Sequence, residues 1–142
     1  MRYHHIVFDV DGTLLDTEKA ILQSFQKTLR EHAGIEKELS ELSFCLGITG
    51  AAALKRLETG HEEEILLQWK ENLAALRAFV RVFDGIELLL KRLRADGFQL
   101  GVVTSRCRAE YERDFMRLGL DGYFDTVVCE EDTVCHLSLI HI

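Results

Sequence analysis

Residues 4–18 read HHIVFDVDGTLLDTE, an apolar run that ends abruptly in two carboxylates and a glycine. Ile6, Val7 and Phe8 are β-branched or aromatic, which predicts a strand covered on both faces. Gly12 supplies the backbone freedom that the chain needs where it leaves this strand. Because ligand sites of open α/β sheets lie at the carboxyl ends of strands, the stretch predicts a buried strand that delivers acidic side chains to a functional loop.

Asp9 and Asp11 are separated by one residue. In an extended segment both side chains would project to the same side, with Val10 turned away, so that two carboxylates could face one substrate and divide the chemistry between them. The alternative is that these acids only cap a helix or solvate a turn. The apolar strand before them and the Gly-Thr after them favour the functional interpretation.

Residues 9–18, DVDGTLLDTE, resemble the first signature of the haloacid dehalogenase superfamily, in its phosphoglycolate phosphatase and β-phosphoglucomutase branch. The resemblance implies that Asp9 is a nucleophile and that Asp11 is a general acid and base. It also implies a Mg²⁺ ion held by the carboxylate of Asp9 and the backbone carbonyl of Asp11. Backbone amides near Gly12 would then hold phosphoryl oxygens.

A second buried strand is predicted at residues 99–103, QLGVV, and it ends in Thr104 and Ser105. A helix-glycine-strand-hydroxyl sequence of this kind resembles the second signature of the same superfamily. The resemblance implies that the hydroxyl of Thr104 and the backbone amide of Ser105 bind phosphate. Considered alone, a Thr-Ser pair after a strand would more simply cap a helix. Arg106 and Arg108, just beyond it, could help to attract a phosphate, but arginines near a helix start are more often solvated surface, and this is what we expect of them.

Between these strands the pattern is helical. A helix capped by Asp16 is predicted to end at Gly34, followed by helices near residues 38–46, 51–58 and 62–80, with Thr49 capping the second of these. No alternating strand pattern interrupts this region. The predicted fold is therefore α/β, with a Rossmann-like parallel core of about three strands at residues 1–14 and 84–133. Residues 15–83 would form an inserted helical cap, which the resemblance places over the active site as a mobile element.

The composition of the chain argues against nucleic acid and membranes as binding partners. The chain has 142 residues, 47% of them hydrophobic, and a net charge of −7, which disfavours binding to a nucleic-acid backbone. No apolar run approaches the ~20 residues that cross a bilayer, and the first residues do not resemble a signal peptide. We therefore expect a cytoplasmic protein. The four cysteines form no Cys-x-x-Cys pair, and a reducing compartment would leave them as free thiols, of which Cys45 and Cys129 are predicted to be small core residues. Oligomeric state is not indicated.

The resemblance covers residues 1–133 and then stops. The family pattern continues with a lysine segment and later acidic metal ligands, whereas this chain has no lysine after Lys91 and no proline. Residues 134–142 fit neither motif, and we interpret them as a tail that is not native. Cys135 and His136 lack the second pair that a zinc site needs. The acidic run at residues 130–132 is expected to be a solvated loop in preference to a metal site.

The resemblance thus implies a Mg²⁺-dependent phosphatase, similar to phosphoglycolate phosphatase, that hydrolyses a small phosphomonoester of a metabolite through an aspartyl-phosphate at Asp9. Since a positioned acid or base supplies only ~10²- to 10⁴-fold of an acceleration that can reach ~10²¹-fold, the chain without the later motifs is expected to be weak or inactive. One alternative is a mutase of the β-phosphoglucomutase kind, which moves the phosphoryl group between sugar hydroxyls. Another is a non-catalytic fragment or binding module.

Overall fold

A computed structural model of the chain describes residues 3–134. Within that range the chain forms two compact units. One contains the residues up to Asp16 and from Arg81 onward, and the other is Thr17–Val80. The first unit carries a parallel three-stranded sheet with helices, and the second is helical, so the predicted α/β fold class is confirmed.

The helices and strands follow one another along the chain in this order. They are β1 (His5–Phe8), β2 (Leu15–Asp16), α1 (Glu18–Thr28), α2 (Gly50–Arg56), α3 (Glu62–Ala75), β3 (Arg81–Val82), α4 (Ile86–Ala95), β4 (Gln99–Val103), α5 (Arg108–Leu118) and β5 (Thr126–Val128). A π-helical turn, Leu29–Ala33, extends α1, and 3₁₀ turns occupy Leu39–Cys45, Arg77–Phe79, Asp121–Tyr123 and Glu130–Asp132. The predicted helix over residues 62–80 is therefore α3 followed by a 3₁₀ turn.

The main sheet has the strand order β1-β4-β5, and all its pairs are parallel. Phe8 lies opposite Val102, and Val102 lies opposite Val127. Leu100 and Val102 of the central strand are each 1% exposed. Because the strands run in the same direction, the chain segments that follow β1 and β4 leave the sheet at the same end.

The predicted burial of the first strand on both faces is wrong for the described residues. Val7 is 61% exposed, whereas Ile6 and Phe8 are half-buried. β1 lies at the edge of the sheet, where within residues 3–134 it pairs only with β4, and the described residues leave the face that carries Val7 largely uncovered. The apolar run of residues 6–8 predicted a strand, but it did not indicate which face of the strand is covered.

Aromatic packing closes the apolar interior of the first unit. Phe115 of α5 is fully buried, and its ring lies 5.7 Å from the ring of Phe124, just before β5. The ring of Phe124 in turn meets the ring of Phe8 edge-on at 6.2 Å. Leu90 of α4 is also fully buried. These contacts fix β1, β5 and α5 against one another through burial of apolar surface.

The helical unit has its own apolar core, centred on α1 and α3. Phe25 and Trp69 stack with ring centroids 4.1 Å apart, and both are buried. Two polar contacts accompany this packing: Trp69 Nε1 donates to Ser24 Oγ and Asn72 Nδ2 donates to Thr28 Oγ1, each over 2.9 Å. The indole N–H of Trp69 and the hydroxyls of Ser24 and Thr28 are therefore paired, as low-dielectric surroundings require.

Most predicted helix ends are confirmed. The hydroxyl of Thr49 accepts a hydrogen bond from the Ala52 N–H over 3.2 Å, and Gly34 takes the left-handed conformation that ends the first helical segment. The predicted capping role of Asp16 is wrong. Asp16 lies in β2, opposite Arg81 of β3, and accepts two hydrogen bonds from its guanidinium. This two-residue pairing is too short to show as an alternating pattern, so the sequence did not predict it.

The predicted core positions of two cysteines are confirmed, since Cys45 is 3% exposed and Cys129 is 1% exposed. Cys135 and His136, the incomplete zinc pair, lie outside the described residues, as does the predicted tail except for Val134. Between residues 3 and 134, none of the helices combines the length and the apolar character needed to cross a bilayer.

Candidate active site

The loop after β1 is a tight turn built on one buried carbonyl. The carbonyl of Val10 accepts hydrogen bonds from the N–H groups of Leu14 and Leu15 at 2.9 and 3.0 Å. Gly12, with φ of 74°, donates to the carbonyl of Leu15. The left-handed backbone at this position favours glycine, because it strains any residue with a Cβ atom. The turn buries Val10 and leaves the side chains of Asp9 and Asp11 at the carboxyl end of the strand.

Asp9 is half-buried at the end of β1, and its Oδ1 accepts the N–H of Val10 over 2.8 Å. Burial is the main influence on this carboxyl and raises its pKa above the ordinary value. The charge of Asp11 acts in the same direction, whereas the Val10 hydrogen bond and the charge of Arg106 oppose it. An aspartate whose charge is poorly solvated has more to gain than a surface carboxylate from bonding to an electrophile or a cation.

Asp11 is held by an arginine that the sequence analysis assigned to solvated surface. Arg106 Nε donates to one carboxylate oxygen of Asp11 over 2.8 Å, and Nη2 donates to the other over 2.6 Å. Nη1 donates to Asp114 of α5 over 2.6 Å. The Arg106 side chain is 12% exposed, so the expectation that it is solvated is wrong. Burial lowers the pKa of Arg106, but Asp11 and Asp114 outweigh burial and raise that pKa above its usual range.

Thr104 and Ser105 follow β4 at the same end of the sheet. Thr104 is 3% exposed, and its N–H donates to the carbonyl of Val128 over 3.0 Å. Its hydroxyl oxygen accepts the N–H of Arg106 over 3.2 Å, which leaves the hydroxyl hydrogen for donation to another acceptor. The roles predicted for Asp9, Asp11, Gly12, Thr104 and Ser105 stay predictions, but all five residues follow β1 or β4 where these strands end.

Arg106 and Asp114 are the residues that sequence reasoning missed. Tyr111, Phe115 and Leu118 recur at helical spacing, which predicts the apolar stripe of a helix, and Asp114 falls at helical spacing within that stripe. An acid on the buried face of a helix needs a partner, because an isolated buried charge is costly. Because arginines lie a few residues upstream of Asp114, this need for a partner could have indicated the ion pair from the sequence.

The oxygen atoms of the β1 loop suit a hard cation. Mg²⁺ prefers oxygen ligands and is usually bound through one or two carboxylates while it keeps several waters. The Asp9 carboxylate would be one such ligand. The Asp11 carbonyl would be another, since the hydrogen bonds of the loop given above are accepted by the carbonyls of Val10 and Leu15. Across residues 3–134 no three acidic, histidine or cysteine side chains cluster as a metal site. The described residues therefore fit Mg²⁺ as two of its ligands.

The acidic run after β5 is a 3₁₀ turn in which two side chains have partners. Glu131 accepts the N–H of Arg108 at the start of α5, and Asp132 pairs with the guanidinium of the same arginine. Asp132 also accepts the N–H of Cys129 over 2.8 Å. Glu131 and Asp132 are exposed, as expected of a loop, but they also fix the beginning of α5.

Comparison with known proteins identifies the family. The family model described as haloacid dehalogenase-like hydrolase matches residues 6–136. The chain belongs to this family. The resemblance drawn from residues 9–18 and 99–105 is thereby confirmed, since the match includes both stretches.

Relatives within the haloacid dehalogenase-like family extend this result. Pyrophosphatase PpaX of Halalkalibacterium halodurans is 29% identical over 133 residues, which are 93% of this chain and 62% of that protein. A predicted phosphatase from Clostridium acetobutylicum is 29% identical with a TM-score of 0.79, over 89% of this chain and 61% of that one. This chain therefore spans about three fifths of the length of these relatives.

A third likeness concerns the fold alone. A predicted phosphoglycolate phosphatase from Haemophilus somnus superimposes with a TM-score of 0.79 at 17% identity, over 96% of this chain and 66% of that one. At this identity the match supports the α/β architecture and carries no statement about substrate.

Proposed function

We propose that the protein to which this chain belongs is a Mg²⁺-dependent phosphohydrolase that releases phosphate from a small phosphorylated metabolite. The observation that supports the proposal is that Asp9 and Asp11 follow β1 and Thr104 follows β4, two parallel neighbouring strands, in a chain of the haloacid dehalogenase-like hydrolase family. Two carboxylates and a hydroxyl donor are the groups needed for nucleophilic attack, proton transfer and phosphate binding.

Asp9 is the proposed nucleophile. One of its carboxylate oxygens attacks phosphorus in line with the leaving oxygen, the phosphorus-leaving oxygen bond breaks, and an aspartyl-phosphate forms on Asp9. Oδ1 is oriented by the Val10 N–H, which holds the side chain at the end of β1. A magnesium ion held by the Asp9 carboxylate and the Asp11 carbonyl would reduce the repulsion between this carboxylate and the negatively charged phosphate.

Asp11 is the proposed acid and base. A proton on its carboxyl passes to the leaving oxygen as the first bond breaks, and the resulting carboxylate then takes a proton from the water that hydrolyses the aspartyl-phosphate. The two transfers cancel, so the enzyme returns to its starting state. The hydroxyl of Thr104, the amide of Ser105 and the backbone near Gly12 would hold the phosphoryl oxygens, and the Thr104 hydroxyl has its hydrogen available for this contact.

The substrate class is proposed from the relatives. Pyrophosphatase PpaX of Halalkalibacterium halodurans aligns with 93% of this chain, which favours inorganic pyrophosphate as the first substrate to test. A small phosphomonoester such as phosphoglycolate is the second, and it is the class that the sequence analysis predicted. Both present a terminal phosphoryl group to Asp9, and they differ in whether the leaving oxygen belongs to phosphate or to an alkoxide.

Phosphate release tests the proposal. The whole purified protein to which this chain belongs should liberate inorganic phosphate from pyrophosphate or phosphoglycolate when Mg²⁺ is present, and EDTA should stop the release until Mg²⁺ is added back. Asp9→Asn should abolish release, whereas Asp84→Asn, at an exposed aspartate of the same unit, should not. Mass spectrometry of trapped protein should locate a phosphoryl adduct on Asp9.

Three results would contradict the proposal. Full turnover by the Asp9→Asn variant would remove the covalent mechanism. Conversion of a hexose phosphate to its isomer with total phosphate ester unchanged would indicate a mutase instead. Absence of any turnover or adduct with Mg²⁺ present would favour a non-catalytic module.

A further inference from the structure

A buried chain of three charged side chains lies beside the proposed acid and base. Asp114 on α5, Arg106 between β4 and α5, and Asp11 after β1 are joined by three hydrogen bonds of 2.6 to 2.8 Å. We propose that Arg106, anchored by Asp114, is a positioning residue that holds the Asp11 carboxylate in the orientation needed for proton transfer. This inference rests on the proposed phosphohydrolase function and adds to it a residue outside the expected signatures.

The geometry of the guanidinium carries the argument. Nε and Nη2 each contact a different oxygen of Asp11, so the planar fork of the arginine fixes the plane of the carboxylate as well as its position. The third nitrogen, Nη1, is engaged by Asp114, which prevents rotation of the guanidinium. A lysine could supply the charge at this position but not the fork, because its ammonium is a point charge on a flexible stem.

Burial separates this arrangement from an ordinary surface ion pair. The side chains of Arg106, Asp11 and Asp114 are 12%, 21% and 6% exposed. By contrast, Arg108 and Asp132, which pair nearby, are 40% and 38% exposed. Exposed pairs of that kind contribute little and change partner readily, whereas buried charges are held to their partners by the cost of leaving them unpaired.

The backbone of Arg106 is fixed as well. Its N–H donates to the hydroxyl of Thr104, and its carbonyl accepts the N–H of Glu130 over 3.0 Å. One residue therefore contacts both the predicted phosphate-binding hydroxyl and the predicted proton donor. Arg106 sets the position of Asp11 relative to Thr104, and so relative to the phosphate that Thr104 would hold. Displacement of a reacting group by about 1 Å can cost on the order of 10² in rate.

The test compares two substrates in three variants of the whole enzyme. Arg106→Lys keeps the charge but not the fork, Asp114→Asn keeps the size of the anchor but not its charge, and Arg108→Lys is the matched control at the exposed arginine two residues away. The value of kcat/KM is measured for phosphoglycolate and for 4-nitrophenyl phosphate. The alkoxide leaving group of phosphoglycolate needs a proton from Asp11, whereas 4-nitrophenolate leaves without one.

Arg106→Lys is expected to lower kcat/KM for phosphoglycolate about 100-fold, within the range of a displaced general acid, and to lower it far less for 4-nitrophenyl phosphate. Asp114→Asn should show the same selectivity with a smaller loss, and Arg108→Lys should behave as the wild type. If Arg106 had a structural role alone, its replacement would reduce the amount of folded enzyme and would lower kcat/KM equally for the two substrates. If Arg106→Lys does not fold, as judged by circular dichroism, the positioning role is tested by the kcat/KM values of the Asp114→Asn variant for the same two substrates.

The outcomes are distinguishable. Equal losses for the two substrates, or wild-type kcat/KM for phosphoglycolate in a folded Arg106→Lys variant, overturn the positioning role and leave the phosphohydrolase proposal intact. A raised KM with unchanged kcat shows that Arg106 binds substrate directly and also overturns it. If the wild-type enzyme hydrolyses neither substrate with Mg²⁺ present, the proposed phosphohydrolase function is contradicted, and so is the positioning role of Arg106 that rests on it.

Discussion

Replacement of Asp9 by Asn is expected to remove activity and to stabilise the folded protein at neutral pH. Burial and the charge of Asp11 disfavour the ionised Asp9 carboxylate and raise its pKa in the folded state. Between the unfolded value, near 3.8, and the higher folded value, the folded state binds more protons than the unfolded state. Stability therefore falls as the pH rises through this window, and at pH 7 the charge of Asp9 is a net cost.

The structure also bounds the size of this effect. Asparagine keeps an oxygen that can accept the Val10 N–H, so the 2.8 Å hydrogen bond need not be lost and only the charge is removed. Since Asp9 is only half-buried, solvent screens part of the cost. We expect a gain in the free energy of unfolding of about 0.5–1 kcal/mol at pH 7, the lower part of the range for single stabilising substitutions.

Urea denaturation in the presence of EDTA measures this gain without any bound divalent cation. The difference between Asp9→Asn and wild type should shrink as the pH falls toward 3.8, where the wild-type carboxyl takes up its proton. Asp84→Asn, at an exposed aspartate, is the control and should change stability by no more than about 0.5 kcal/mol. The reasoning is refuted if Asp9→Asn is no more stable than wild type at pH 7, or if its gain is the same at pH 7 and pH 4.

Two further predictions concern packing in each unit. Ser24→Ala removes the acceptor of the buried Trp69 Nε1–H and should cost about 1–3 kcal/mol, seen as a lower melting temperature by circular dichroism, whereas Ser40→Ala at an exposed serine should leave it unchanged. On α4, Leu90→Ala should cost about 2–5 kcal/mol in urea denaturation, because Leu90 is fully buried. Leu88→Ala, at a leucine that is 73% exposed on the same helix, should cost less than about 0.5 kcal/mol, and equal losses would contradict the burial argument.

Local chemistry explains why much of the fold was predictable. The run at residues 6–8 and the run at 99–103 are apolar enough to be strands in any context, and both occur close to the predicted bounds. Thr49 and Gly34 act at helix ends through hydrogen bonds and backbone conformation within a few residues, so their roles were predicted without knowledge of the packing. By contrast, β2 and β3 form only because residues 15–16 meet residues 81–82, a contact that neither segment indicates by itself.

The same distinction applies to the site. Asp9, Asp11 and Thr104 could be selected from sequence because each directly follows an apolar strand, and parallel strands bring such positions together. Arg106 was assigned to solvent because an arginine near a helix start usually lies there. Its burial depends on Asp11 from 95 positions earlier and on Asp114 from the next helix, which pair with it in three dimensions.

The sequence by itself determined the strands β1 and β4, most of the helix ends and the acidic loop of this haloacid dehalogenase-like chain, since these follow from hydrophobic periodicity and from the conformational preferences of single residues. Only the tertiary structure decided which strand face is covered, that Asp16 pairs with Arg81, and that Arg106 joins Asp11 to Asp114. The physical reason is that burial and charge pairing belong to contacts between distant segments, and their energies depend on the dielectric surroundings that the folded chain creates.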